Sequence, residues 1–169
     1  MSHQKILKGK ALKFGDNIST DLIAPGRYAH LRSNLPELAK HVLEDADPTF
    51  VSRVKPGDFV VAGRNFGLGS SREHAAHIIK MAGVGAVLAN SAARIFFRNA
   101  INVGLPILLC DTNRIEEGDE LEVDLASGVI KDLTNGAQLT FRQLPRVMLE
   151  IVDKGGLVPY ILEYGDFRV

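Results

Sequence analysis

The chain predicts an α/β fold, on three observations. The apolar run Phe59-Val60-Val61-Ala62-Gly63 gives way to a polar, glycine-bearing stretch and then to Ala75-Ala76-His77-Ile78-Ile79-Lys80-Met81-Ala82, which is the order strand, turn, helix. Ala86-Val87-Leu88-Ala89 and Ile107-Leu108-Leu109 are short, continuous apolar runs, the pattern of central strands buried on both faces. From Glu120 onward, polar and apolar residues alternate, as half-exposed strands require. A length of 169 residues fits one domain, 1–169, with enough chain to bury a substantial core.

Taken in order, the elements follow from local signals. Leu35, Leu38, Ala39, Val42, Leu43 and Ala46 recur at helical spacing, so Pro36 to Asp45 reads as an amphipathic helix with Asn34 as its cap and Pro36 in the first turn. Phe59–Gly63 is a strand and the segment after Gly69 a helix. Between the two apolar runs at 86–89 and 107–109, Ala92 to Val103 reads as a helix ended by Gly104, with Pro106 just beyond. Glu120–Leu125 and Val129–Leu133 form a hairpin around Ser127-Gly128, Gln138–Arg142 adds a strand, and Arg146–Lys154 is a last helix stopped by Gly155-Gly156. No repeat or low-complexity segment interrupts this order.

The densest chemistry lies in Asn65-Phe66-Gly67-Leu68-Gly69-Ser70-Ser71-Arg72-Glu73-His74. Gly67 and Gly69 permit positive φ and close backbone approach, and the helix start offers unpaired N–H groups at the positive end of a dipole. Ser70, Ser71 and Arg72 add two hydroxyls and a guanidinium. A guanidinium can grip a carboxylate through two hydrogen bonds, and a hydroxyl beside N–H donors can be tuned as an acid or base. The segment therefore reads as a carboxylate site. Ser70-Ser71-Arg72-Glu73 also fits a capping box, a purely structural role. That role needs neither two glycines nor an arginine in the first turn, where the dipole disfavours a cation by roughly 0.3–1 kcal/mol. The P-loop pattern fails for want of a lysine, and the dinucleotide pattern fails because Arg72 stands where the third glycine belongs.

Bulk properties exclude several classes. Twenty basic and twenty acidic residues leave no net charge, so nothing marks a nucleic-acid or anionic-membrane partner. The polar Met1-Ser2-His3-Gln4-Lys5 start and the lack of a ~20-residue apolar run lead us to expect a soluble, cytoplasmic protein. Cys110 is the single cysteine, too few for a disulfide framework or an iron–sulfur ligand set, and its place after an apolar run favours a buried strand residue. His74 and His77 lack a neighbouring carboxylate or cysteine to complete a metal site. No metal is expected on this chain.

Three segments in order resemble the aconitase superfamily, specifically the small subunits of two-subunit isopropylmalate isomerases and homoaconitases. They are Phe14-Gly15-Asp16-Asn17-Ile18-Ser19-Thr20-Asp21-Leu22-Ile23-Ala24-Pro25, the Asn65–Ala75 string, and Ala93-Arg94-Ile95-Phe96-Phe97-Arg98-Asn99-Ala100-Ile101-Asn102-Val103-Gly104-Leu105-Pro106. The resemblance covers about residues 6–110, leaving a C-terminal hairpin and helix over 111–169. It implies a swivelling β/β/α domain and a hydro-lyase acting on a small hydroxy-di- or tricarboxylic acid. Activity would require a large subunit, in a heterodimer or heterotetramer, that carries a [4Fe-4S] cluster. In residue terms it implies that Ser70 is the base removing the proton beside a carboxylate and that Arg72 holds that carboxylate. Ser71 would support with a hydrogen bond, Asp21 would orient a residue or the base, and Gly67, Gly69 and His74 would hold the loop. Asp21 has a bland alternative, capping the Ser19-Thr20-Asp21 turn.

The resemblance places Gly26–Asn34 where the substrate's variable group is read, with apolar residues for isopropylmalate and an arginine for homoaconitate. This chain has both Leu31 and Arg32. Leu68 stands where small subunits often have cysteine. The expected function is 3-isopropylmalate dehydration and rehydration in leucine biosynthesis. Homoaconitate, 2,3-dimethylmalate and (R)-2-methylmalate are the alternative substrates. A stand-alone carboxylate- or phosphate-binding module is the alternative of another class.

Overall fold

A computed structural model describes residues 5–70 and 72–165. Its seven strands form one mixed sheet in the order β4-β3-β2-β1-β5-β6-β7. These are β1 (Ile6–Lys13), β2 (Phe59–Ala62), β3 (Ala86–Ala89), β4 (Ile107–Leu109), β5 (Glu120–Asp124), β6 (Val129–Asp132) and β7 (Gln138–Thr140). Eight-residue β1 joins two wings. Its second half runs parallel to β2, pairing Ala11 with Phe59, and its first half runs antiparallel to β5, pairing Ile6 with Asp124. The β2, β3 and β4 strands continue the parallel wing.

The apolar runs at 59–62 and 86–89 are strands buried at every position, as their composition predicts. Alternate side chains serve opposite cores. Val60, Ala62, Val87 and Ala89 join one cluster, while Phe59, Val61, Ala86 and Leu88 join the other. Helices α2 (Leu35–Ala39) and α4 (Glu73–Met81) cover the first face through Leu38, Ala75, Ala76, Ile78 and Ile79. Helices α6 (Arg146–Asp153) and α7 (Leu157–Tyr164) cover the second through Ile151, Val152 and Tyr160. Helix α5 (Arg94–Asn102) contributes to both, with Phe96 and Ala100 on one side and Ile101 on the other. The short helices α1 (Thr20–Ile23) and α3 (Phe50–Arg53) complete the set.

The predicted helix over 36–45 is a correction. Asn34 does cap α2, accepting from the Glu37 N–H at 3.5 Å, and Pro36 lies in the first turn, but the helix stops at Ala39. Leu43 adopts φ 58° and gives its N–H to the Ile23 carbonyl at 3.0 Å, so a tertiary hydrogen bond outcompetes continued helix while Val42 and Leu43 stay fully buried. Strand β1 and helix α7 have no counterpart among the predicted elements. The β1 sequence Ile6-Leu7-Lys8-Gly9-Lys10-Ala11-Leu12-Lys13 mixes lysines into a strand whose flanks are covered only at one end, and its pattern of exposure follows.

Candidate functional site

Strands β1, β2 and β3 all end on the same side of the parallel wing, and the three chemistry-bearing segments begin there, at Phe14, Gly63 and Asn90. The carboxyl edge of parallel strands is where open α/β sheets bind ligands. Backbone contacts stitch the three together. The Gly67 N–H donates to Ile18 O at 2.7 Å, the Thr20 N–H to Leu68 O at 2.8 Å and the Ala93 N–H to Phe66 O at 2.9 Å. The Asn65 N–H donates to Ser91 Oγ and its side-chain amide to Asn17 Oδ1, both at 2.9 Å.

The glycine requirement is specific. Gly67 has φ 79°, and a Cβ there would stand 2.2 Å from the Phe96 ring, so the loop can pass over α5 only as glycine. Gly69 has φ 111°, with Thr20 Oγ1 3.1 Å from its would-be Cβ. Thr20 is almost fully buried and donates from Oγ1 to the Ser70 carbonyl at 3.1 Å, a carbonyl that also accepts the Arg72 N–H at 2.8 Å. Ser70 is thus fixed by its backbone and left exposed at its side chain.

A cleft of about 230 Å³ opens here, lined by Thr20, Gly67, Gly69, Ser70 and Arg72 on one wall and by Arg94, Ile95, Phe96 and Asn99 of α5 on the other. The alternative reading, a capping box opened by Ser70, is not what starts α4. The N-cap is Arg72, at φ −87° and ψ 99°, with no side-chain capping bond. Arg72 therefore precedes the helix rather than occupying its first turn. The anion it meets within the chain is Asp21: Arg72 Nη1 donates to Asp21 Oδ1 at 3.1 Å and to Ala24 O at 2.8 Å. Asp21 also accepts the Gly26 N–H at 3.2 Å, so it both closes the turn after α1 and orients the arginine. Both sequence readings of Asp21 are compatible with these contacts. Ser71 and the Glu73 side chain lie outside the described residues.

His74 is half-buried, and burial, followed by the nearby Arg72 and Arg32 charges, lowers its pKa below the ordinary histidine value. It stays neutral near pH 7, which suits a positioning role. Leu31 packs partly against the core at the end of a 3-10 helix, Gly26–Leu31, and Arg32 is exposed beside it; neither lines the cleft. That segment is braced by Arg27, paired with Glu44 at 2.8 Å and Asp45 at 2.7 Å, and by Tyr28 stacked on His41 at 3.8 Å. Sequence reasoning missed Thr20 and Arg94 as cleft residues. The signal for Arg94 was present: a cation opening a helix that has no acidic residue in its first turn.

Among the described residues, no three His, Cys, Asp or Glu side chains are placed to hold a metal, and no helix is long and apolar enough to cross a membrane. Half-buried Cys110 follows β4, its thiol pushed up to about 12 by burial and then by Asp111.

Comparison with known proteins adds four findings. The family model for the aconitase C-terminal domain matches residues 8–111. The 3-isopropylmalate dehydratase small subunit 2 of Archaeoglobus fulgidus is 61% identical over 161 residues, covering 95% of this chain and 98% of that one. The isopropylmalate/citramalate isomerase small subunit of Methanocaldococcus jannaschii is 52% identical over 160 residues, covering 94% and 95%. A crystal structure of a 3-isopropylmalate dehydratase from Methanocaldococcus jannaschii superposes with a TM-score of 0.90 at 44% identity, covering 95% of this chain and 96% of that one.

Proposed function

We propose, on the premise that this chain belongs to the aconitase C-terminal domain family, that it is the small subunit of a two-chain 3-isopropylmalate dehydratase, a hydro-lyase. The observation that carries this reading is the near full-length identity to 3-isopropylmalate dehydratase small subunits. The cleft supports it with a suitable pair of groups, an exposed serine and an anchored arginine.

In this reading Arg72 binds a substrate carboxylate with the guanidinium edges that Asp21 and Ala24 leave open. Ser70 Oγ then takes the proton from the carbon beside that carboxylate and returns one during rehydration. A free serine hydroxyl is too weak an acid to supply an alkoxide unaided. The nearby Arg72 and Arg94 charges and the N-terminus of α4 stabilise it, so the serine's environment provides the electrostatic preorganisation. Asp21 acts through Arg72 as a positioning residue. Loss of hydroxide calls for a Lewis acid, in this family an iron–sulfur cluster. The donors of this chain do not fit one: the described residues lack a ligand set, and a single cysteine falls short of the several thiolates such a cluster needs. In this reading the cluster is carried by a large-subunit partner.

A second reading is favoured by one observation, the relative named for both isopropylmalate and citramalate. Citramalate, which is 2-methylmalate, would need the same carboxylate contact at Arg72 and a smaller apolar contact. The test is an anaerobic assay of the chain co-purified with a cluster-bearing large subunit, given isopropylmalate, citramalate, homocitrate and 2,3-dimethylmalate side by side. Formation of the unsaturated acid from isopropylmalate supports the main reading, and preference for citramalate the second. No turnover of any substrate with the cluster verified intact would overturn both and leave a carboxylate-binding module.

A further inference from the structure

A second groove lies beside the cleft and shares Arg94 with it. At about 520 Å³ it is more than twice the cleft's volume, roomier than a small hydroxy acid needs and large enough to take side chains of a partner segment. Phe97, Leu109 and Met148, each partly buried, form its floor where the two cores meet at the outer edge of β4. Arg94, Arg98 and Arg142 rim it and are exposed. The backbone N–H of Arg142 donates to Leu109 O at 2.9 Å, fixing the 141–145 segment along that edge.

The charge pattern is the informative feature. Arg27, Arg53 and Arg146 each meet a carboxylate of this chain within 2.6–3.2 Å, whereas Arg94, Arg98 and Arg142, like the exposed Arg32 and Arg114, form no ion pair with a described residue, and these three share one groove. Three exposed guanidiniums around an apolar floor form an interface pattern, because arginine and large apolar side chains supply both contact area and directed hydrogen bonds. The cleft itself leaves Ser70 and Ile95 exposed. Whatever carries the Lewis acid must approach this side of the molecule.

We infer that this groove docks the cluster-bearing large subunit, receiving from it an apolar segment flanked by carboxylates that pair with Arg98 and Arg142. The inference rests on the two-chain reading above. Its geometry adds a function for the contiguity of groove and cleft: a partner seated on the β4 edge is registered against the cleft through Arg94.

The experiment measures the dissociation constant between the full chain and its large subunit, anaerobically, across a range of ionic strength. Arg98→Glu/Arg142→Glu should weaken binding at least tenfold, and the wild-type affinity should fall with salt more steeply than the variant's. A Lys55→Glu control, exposed ahead of the amino end of β2 and so opposite the edge that carries the cleft, should bind as wild type. Unfolding midpoints check that the variants fold, and turnover should recover when the double variant is supplied in excess. Unchanged affinity of the folded double variant, or a wild-type affinity indifferent to salt, overturns the docking surface while leaving the two-chain reading intact. Failure of the wild-type chain to bind any large subunit overturns both.

Discussion

The Arg72 guanidinium donates to Asp21 Oδ1 at 3.1 Å and to the Ala24 carbonyl at 2.8 Å, so the residue that opens α4 is held by the segment following β1. Lysine cannot reproduce two directed bonds and a further bidentate grip on a ligand. Arg72→Lys should therefore raise KM for the hydroxy acid tenfold or more. The stability cost should stay within about 1 kcal/mol, because Asp21 is 67% exposed and the pair is solvent-screened. Steady-state kinetics of the complex together with a thermal melt check both, and an unchanged KM would remove Arg72 from substrate binding.

Ser70 separates the catalytic reading from the structural one. A serine that capped α4 would cost about 1 kcal/mol on conversion to alanine, but the N-cap is Arg72 and the serine side chain is exposed. Ser70→Ala should leave the unfolding midpoint and partner binding unchanged while lowering kcat by about 10²–10⁴-fold, the range for loss of a general base. A melt shifted downward with turnover retained would reverse the assignment.

Gly67 is the sterically committed position of the site. Alanine there would carry the strain of φ 79° and a Cβ 2.2 Å from the Phe96 ring, which packs edge-on against Phe66 at 5.3 Å. Gly67→Ala should cost roughly 2–4 kcal/mol in a denaturant titration. Gly69→Ala meets only the Thr20 hydroxyl, at 3.1 Å, and should cost less. Equal losses at the two positions would mean that backbone strain alone, without the Phe96 contact, sets the requirement.

What the sequence made legible follows a physical division. Strands β2 and β3 are buried on both faces and β4 nearly so, and all three carry unbroken apolar runs, so their residues announce them almost to the boundary. The place of Arg72 at the cleft was legible because its residue type and position beside two glycines are chemically unusual. Its partner was not, since Asp21 reaches it across 51 positions of chain. The same holds for Leu43, whose helical spacing is overruled by the Ile23 carbonyl, and for Thr20, whose hydroxyl finds Ser70 only in the folded molecule. Local pattern reports burial and backbone preference, while long-range hydrogen bonds leave no periodic trace.

Asp132 offers a stability test remote from the cleft. It is 1% exposed; Oδ1 accepts the Thr134 and Asn135 N–H groups at 3.1 and 3.4 Å, and among the described residues no donor reaches Oδ2. Burial, and secondarily the facing Asp119 carboxyl, raise its pKa above the ordinary carboxylate value. Between the unfolded value near about 3.9 and the raised folded value, the native state binds more protons than the unfolded chain, so native stability falls as pH rises through that window. Asparagine keeps the Oδ1 acceptor and offers Asp119 a donor without a charge to bury. Asp132→Asn should therefore stabilise the chain near neutral pH by about 1 kcal/mol, roughly 2–4 °C in Tm. The gain should shrink as pH falls below the folded pKa and vanish once the carboxyl is protonated in both states. Melts of both proteins across pH 3–8, a range set by the ordinary carboxylate titration of about 3.9, measure it. A gain that persists undiminished at the acid end would place the benefit in packing rather than in the buried charge.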